Sequence, residues 1–230
     1  MKSITILLAA GRGSRFMSDK KKQFVHIDGR PLLYYSLKAF NESNVDEIII
    51  VTSKEDIEYV RKEIVLKYSF TKVTCVVIGG SERYDSVNSG LNSIEDDNSI
   101  CLIHDSARAM VSIELINKCI EETYKYPAVI PVVSMKDTVR VRKNGFGGDT
   151  LDRDSLCIVQ TPQCFDTKLI KSAFKKMYEN DYKKMRITDD AMVVEKFTST
   201  KTRLIDGDYR NIKVTTLEDI EIAKAFLSVK

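Results

Sequence analysis

Ile4-Thr5-Ile6-Leu7-Leu8-Ala9-Ala10-Gly11-Arg12-Gly13-Ser14-Arg15-Phe16, with Lys20-Lys21-Lys22-Gln23-Phe24 just beyond it, decides how the rest of the chain is read. Ile4 to Ala9 is a short apolar run, the pattern of a strand buried on both faces. At its end the residues turn small (Ala9, Ala10, Gly11, Gly13) and then basic. Small residues let the backbone come close to a ligand, and loop N–H groups can cradle an anion. Arg15 and Lys22 add full positive charge beside that loop. A nucleoside triphosphate calls for this combination, because its negative charge must be stabilised as a phosphoryl bond breaks. The two glycines alone fit a plain turn equally well; Arg15 and the Lys22-Gln23 pair tip the reading toward a phosphate site. Phe16 occupies the place where the dinucleotide fingerprint needs a third small residue, and the P-loop pattern is absent.

Composition narrows the class. A length of 230 residues fits one α/β domain with a substantial core, and 43% hydrophobic with 30% charged residues is ordinary for a globular protein. The 36 Lys and Arg residues are spread along the chain and the net charge is only +3, which argues against nucleic acid as a partner. The five cysteines contain no Cys-x-x-Cys pair and lie mostly in apolar runs, so buried free thiols in a reducing cytoplasm are expected. Met1-Lys2-Ser3 leads straight into a strand, without the pattern of a secretion signal. No apolar run approaches the roughly 20 residues that span a bilayer, so no membrane partner is expected.

Taken in order, the chain alternates strands and helices. Helices are expected over Leu32–Asn41 (with Pro31 as first residue), Glu55–Tyr68 and Ile113–Tyr126. Strands are expected over Val45–Thr52, Val73–Ile78, Ile100–Ile103 and Ala128–Val133. This predicts an α/β fold: a Rossmann-like, three-layer, mostly parallel sheet covered on both faces. Ligands in such sheets collect beyond the carboxyl ends of the strands. Gly11–Arg15, Gly79–Ser86 and His104–Arg108 all fall there.

From Lys136 to Arg153 the pattern becomes Thr138-Val139-Arg140-Val141-Arg142, then Asn144-Gly145-Phe146-Gly147-Gly148. This predicts a β-hairpin arm projecting from the sheet, a surface flap or, on the sharper reading, a dimerisation arm, since a lone hairpin is marginal in water. Helices near Thr167–Tyr178, after Thr188 or Asp189 as N-cap, and over Glu218–Val229 complete the chain, with a last strand at Arg203–Ile205.

The segment from Gly79 to Val87 offers two glycines and the Ser81 and Ser86 hydroxyls to a base and ribose, or it is simply a turn and helix cap. Asp105 can accept from sugar hydroxyls or hold water around a magnesium ion. Arg108 can fork onto a phosphate, or neutralise Asp105 in a structural salt bridge. His104 reads as a satisfied residue at a strand end. Arg15, Lys22, Arg153 and Lys213 are four cations on four separate loops, accompanied by no nucleophile, general base or metal cluster. That set suits a substrate bringing its own nucleophile. A phosphate monoester, with a second pKa near ~6, attacks without a base, and the protein has only to position it and neutralise charge.

The Ala-Ala-Gly-x-Gly-x-Arg loop followed by Lys-Gln-Phe resembles the sugar-nucleotide type of nucleotidyltransferase. The longer set resembles one family closely, 2-C-methyl-D-erythritol 4-phosphate cytidylyltransferase. The matching stretches are LLAAGRGSRF, KKQFVHIDGRPLL, GGSERYDSVNSGL, IHDSAR, KDTVR, LDRDSL, TPQCF, TDDA and DYRNIKVTTLEDI. The resemblance implies a single cytidylyltransferase domain over residues 1–230 with the arm at about 136–153, a homodimer, CTP as substrate and Mg2+ or another divalent cation. It implies that Arg15 and Lys22 stabilise charge on the triphosphate. Arg153 and Lys213 would position the polyol phosphate, assisted by Thr138, with Arg153 and Thr138 reaching across the dimer. It also implies that Ala9, Ala10, Gly11, Gly13, Gly80, Arg83 and Ser86 line the nucleotide pocket, and that Asp105, Arg108, Thr161 and Thr188 surround nucleotide and polyol. Two departures stand out: Ala109 where the family usually has Pro, and Asp190 where it commonly has Glu. A sister activity, ribitol-5-phosphate cytidylyltransferase, and a non-catalytic CTP-binding regulator are the alternatives. Phe16 disfavours a nicotinamide oxidoreductase.

Overall fold

The computed structural model describes residues 1–11, 21–180, 182 and 185–228. The expectations for Gly13 and Arg15 lie outside the described residues. Strand β1 (Lys2–Leu8) is central, and a short ladder of β2 (His26–Ile27) with β3 (Arg30–Pro31) leads into helix α1 (Leu32–Glu42). Pro31 is the residue capping α1 from outside, one position before its expected place. Strand β4 (Glu47–Thr52) follows, and then a helical stretch made of a 3₁₀ turn (Lys54–Asp56), one α turn, α2 (Ile57–Tyr59), and a π-helical segment (Val60–Leu66).

Next come β5 (Val73–Ile78), α3 (Arg83–Leu91), β6 (Ser99–Asp105), α4 (Ile113–Thr123) and β7 (Ala128–Ser134). The arm is β8 (Val139–Lys143) and β9 (Phe146–Leu151). The chain closes with β10 (Cys157–Val159), β11 (Gln163–Asp166), α5 (Thr167–Glu179), α6 (Asp190–Phe197), β12 (Arg203–Asp206) and α7 (Glu218–Ser228).

The main sheet runs β10-β7-β11-β6-β1-β4-β5, with β12 added on β7. Strand β1 pairs in parallel with β4 and β6, and β4 with β5, as the apolar runs predict. The sheet is mixed, because β11 is inserted antiparallel between β6 and β7. Alternation within each strand makes the three layers. Leu7, Ile48, Ile50, Ile100 and Leu102 face the side covered by α1 and α4. Ile6, Ile49, Val51, Cys101 and Ile103 face the side covered by α3, α5 and α6. Each such side chain gains about 1.5–3 kcal/mol on leaving water, so strand alternation fixes which helix covers which face. Helix α3 lies close on β1 because residue 90 is glycine; a Cβ there would stand 2.5 Å from Ile6 Cγ2.

A third cluster joins Ile27, Leu32, Ala109, Val214, Ile220 and Ala223 under α7. Ala109 is packed inside it. The arm turns at Asn144 and Gly145, with φ of +48° and +88°, as a two-residue hairpin loop requires. Cysteines 75, 101, 119, 157 and 164 are free, but Cys157 is exposed on β10, against the expectation of buried thiols. No described helix is long and apolar enough to cross a membrane.

Candidate active site

The carboxyl ends of β1, β5 and β6 open on one cavity of about 630 Å³. Its first wall is Ala9-Ala10-Gly11. The Ala9 N–H continues the ladder by donating to the Val51 carbonyl at 2.7 Å, and the buried Gln23 amide donates to the Ala9 carbonyl at 2.7 Å. Gln23 thus ties the small-residue loop to the Lys22–Phe24 turn and presents Lys22 to the cavity. The sequence pairs Gln23 with Lys22 beside the loop; its burial identifies it as a support.

The second wall is Gly79 to Ser86. A Cβ at Gly80 would collide with Asp85 Cβ, so glycine is needed for this turn to close on α3. The Ser81 hydroxyl donates to Asp85 Oδ2 at 3.0 Å, while Ser86 Oγ accepts from the Gly80 N–H at 3.2 Å and donates to the Glu82 carbonyl at 3.2 Å. Glu82 and Asp85 close a reciprocal capping box on α3. Both serine hydroxyls therefore serve the turn and cap, although both residues line the cavity.

The floor is charged. Asp105, the last residue of β6, receives Arg83 Nε on Oδ1 at 3.1 Å and Lys213 Nζ on Oδ2 at 2.6 Å. Burial alone would raise the Asp105 pKa, but the Arg83 and Lys213 charges outweigh it and hold the carboxyl far below the ordinary carboxylate range. Arg83 lines the cavity as expected, yet its guanidinium also forks onto Asp190, with Nη1–Oδ1 at 2.9 Å and Nη2–Oδ2 at 2.7 Å. Burial lowers the Arg83 pKa less than Asp190 and Asp105 raise it, so the guanidinium stays charged. Lys213 is delivered by its neighbour: Val214 is buried in the cluster under α7, and its N–H donates to the Ala107 carbonyl at 2.9 Å. Lys22 Nζ reaches the Val214 carbonyl at 3.3 Å, so cations 191 positions apart in the sequence (213 − 22) meet on one cavity.

Five residues expected at the site do not line this cavity. Arg108 neither lines the cavity nor bonds Asp105; its Nη1 donates to the Asn211 carbonyl at 2.7 Å and its Nη2 to the Val159 carbonyl at 3.2 Å. It is a brace between the Asn211–Lys213 loop and the β10 end. Thr161 is buried; its Oγ1 accepts the Asp105 N–H at 3.2 Å and pairs with His104 Nδ1 at 3.0 Å, supporting β6 from behind. His104, satisfied as expected, also lies 3.2 Å from the Arg108 carbonyl through Nε2, and burial pushes its pKa down to about 3. Thr188 is exposed and contacts Met192 Sδ at 3.7 Å, while Asp189 is the residue that caps α6. Arg153 and Thr138 are exposed beside the arm, outside the cavity; Arg153 Nη1 donates to the Lys136 carbonyl at 3.2 Å.

A small-residue loop, a glycine turn on a helix cap and two lysines, Lys22 and Lys213, thus line one cavity. The sequence profile of the 2-C-methyl-D-erythritol 4-phosphate cytidylyltransferase (IspD) family matches residues 3–229. The chain belongs to that family. A 2-C-methyl-D-erythritol 4-phosphate cytidylyltransferase of Clostridium perfringens (strain SM101 / Type A) is 45% identical over 228 residues, covering 98% of this chain and 99% of the relative. One from Lachnospira eligens is 45% identical over 224 residues, covering 96% and 97%. The crystal structure of 4-diphosphocytidyl-2C-methyl-D-erythritol synthase from Anaerococcus prevotii superposes with a TM-score of 0.85 at 32% identity, covering 99% of this chain and 96% of that one.

Asp190, which the sequence marks only as a departure from the family's common Glu, belongs to the charged floor of the site. It is 1% exposed, touches the site only through Arg83, and gives no local signal beyond standing second to an N-cap.

Proposed function

We propose that this cavity binds CTP between the Ala9–Gly11 and Gly79–Ser86 walls and transfers its cytidylyl group to 2-C-methyl-D-erythritol 4-phosphate. The products are 4-diphosphocytidyl-2-C-methyl-D-erythritol and pyrophosphate, in the non-mevalonate route to isoprenoids. The observation that carries this reading is that Lys22, held to the Val214 carbonyl at 3.3 Å, and Lys213, held to Asp105 at 2.6 Å, line one cavity. The acceptor's phosphate oxygen forms the new bond to the α-phosphorus, and the bond from that phosphorus to the bridging oxygen breaks as pyrophosphate leaves. Lys22, with Arg15, neutralises the charge that grows on the triphosphate. Lys213 orients the acceptor phosphate, and Arg153 with Thr138 does so from the arm of a second copy.

No group of three or more carboxylate, histidine or cysteine side chains suited to a metal occurs among the described residues. Magnesium fits such a site when phosphate oxygens and waters supply most of its ligands and the protein adds one carboxylate. Asp105 lines the cavity, but Arg83 and Lys213 engage both of its oxygens, so it would hold the ion through water. The ion would supply charge neutralisation on the phosphates. The homodimer reading is supported by the arm, whose Phe146 is 79% exposed, and by the apolar edge of β10. Free cysteines fit a cytoplasmic enzyme.

The test is pyrophosphate release from CTP and Mg2+, with methylerythritol 4-phosphate and ribitol 5-phosphate offered separately. Turnover with the first alone is expected. Turnover with ribitol phosphate instead would reassign the acceptor, and no release with either would leave a binding protein.

A further inference from the structure

Asp190, Arg83, Asp105 and Lys213 form a row of alternating charges running from the buried start of α6 to the cavity. The backbone does not hold Asp190 there by chance. Gln163 Oε1 accepts from the N–H groups of both Asp190 and Ala191 at 3.0 Å, and Gln163 Nε2 donates to Asp189 Oδ2 at 2.9 Å. The amide thus fixes the first turn of α6 to β11. Asp190 presents both oxygens to the two Nη groups of Arg83. That fork leaves Arg83 only Nε for Asp105, on Oδ1, and Oδ2 is left to Lys213. Buried ion pairs of this kind add little net stability over well-packed apolar residues, and their best-attested use is to specify one arrangement over another.

We propose that Asp190 is a positioning residue for cytidylyl transfer: by occupying the fork of Arg83 it reserves one oxygen of Asp105 for Lys213 and so sets where the Lys213 ammonium meets the acceptor phosphate. The proposal rests on the reading of the cavity given above. With the Asp190 charge gone, Arg83 has two unengaged Nη groups beside Asp105 and takes the oxygen that Lys213 holds. The Lys213 backbone stays in place through Val214, but the ammonium loses its anchor. The row, neutral when complete, then carries one net positive charge, which does not weaken the binding of a triphosphate. The two substrates therefore respond differently, whereas general loosening of the site weakens both.

The experiment uses the full-length protein with Asp190→Asn and Asp190→Glu, measuring kcat and KM for each substrate, CTP affinity by calorimetry without acceptor, and thermal unfolding. For Asp190→Asn the expected result is a KM for the polyol phosphate raised at least tenfold, with the CTP Kd within twofold of wild type or tighter. Asp190→Glu, which keeps the charge and the fork, restores the KM to within threefold. Equal losses for CTP and polyol phosphate together with a lowered Tm, or no change in either, would overturn the proposal. Should Asp190→Asn not fold, Arg83→Lys poses the same question, because a single ammonium cannot serve both carboxylates. The same rise in polyol-phosphate KM is expected, and an unchanged KM overturns the idea. Absence of pyrophosphate release from the wild-type protein would instead defeat the reading of the cavity itself.

Discussion

Lys213 and Arg153 are both cations on loops beside the central sheet, yet they stand in opposite surroundings. The Lys213 ammonium is locked to Asp105 at 2.6 Å, Asp105 to Arg83, and Arg83 to a buried Asp190. Arg153 stands at the foot of an exposed hairpin, with a carbonyl at 3.2 Å and a loose contact to Asp154 at 3.8 Å. The first setting is preorganised within one chain: its partners come from three elements, β6, α3 and α6, and need no ligand to hold their places. The second has little around it to order its side chain, and the same arm leaves Phe146 and Leu151 in water. One chain thus preorganises the Lys213 part of the site, and the Arg153 part awaits something that packs on the arm. In the proposed reading that something is a second copy.

The sharpest way to break this contrast is on the cavity side. Lys22→Ala should lower kcat by about 10²–10³, the 2.7–4 kcal/mol typical of losing one donor to a developing anion. A steady-state pyrophosphate assay measures it, and unchanged turnover removes Lys22 from the mechanism. On the arm side, Arg153→Ala should leave Tm unchanged while raising the KM for the polyol phosphate about ten- to a hundredfold, the worth of a charged hydrogen bond of about 1.5–3 kcal/mol. A drop in Tm instead would mean that the arm is more tightly packed than its exposure indicates.

Glycines sharpen the comparison further. Gly80→Ala forces a Cβ into Asp85 and should cost about 1–3 kcal/mol by overpacking, with weaker CTP binding. Gly147→Ala on the arm meets only the tip of Arg140 at 3.3 Å and should stay within about 0.5 kcal/mol in urea unfolding. A separate effect concerns pH. Burial holds the His104 pKa down to about 3, against 6.5 in the unfolded chain. The unfolded chain therefore takes up a proton below pH 6.5 that the folded chain refuses. This contribution to stability is complete above that pH and declines on acidification toward pH 3, with a limiting slope of about 1.4 kcal/mol per pH unit. Urea unfolding at pH 7, 6 and 5 should show the decline, and His104→Gln should flatten it. Equal slopes for both proteins would show that His104 is not the group responsible.

The fold was legible because short apolar runs and helix spacing are local signals, and a mostly parallel sheet covered on both faces follows from their succession along the chain. The antiparallel insertion of β11 was not, because Gln163-Cys164-Phe165 has the same apolar character in either direction and only the path of the chain decides. The cavity loops were legible for a similar reason: small residues and glycines after a strand announce themselves within ten positions. The partners of the charged groups were not. Arg83 meets Asp190 across 107 residues and Asp105 meets Lys213 across 108, so the sequence suggests Arg108, three residues away, as the partner of Asp105. Thr161 and Thr188 show the same limit. As hydroxyls in family motifs they read as substrate contacts, but one braces His104 and Asp105 from behind and the other lies exposed beside Met192.

The central claim, that one chain supplies the cavity and another the arm cation, is tested most directly by mixing two impaired variants, with polyol phosphate held well below their raised KM. Lys213→Ala and Arg153→Ala proteins would be assayed separately, then unfolded together, refolded and assayed again. Random pairing makes half the dimers mixed, each with one intact site, so recovery to about one quarter of wild-type activity is the predicted result. Activity that stays at the sum of the two separate variants would contradict the account and place Arg153 at its own chain's site or outside the reaction.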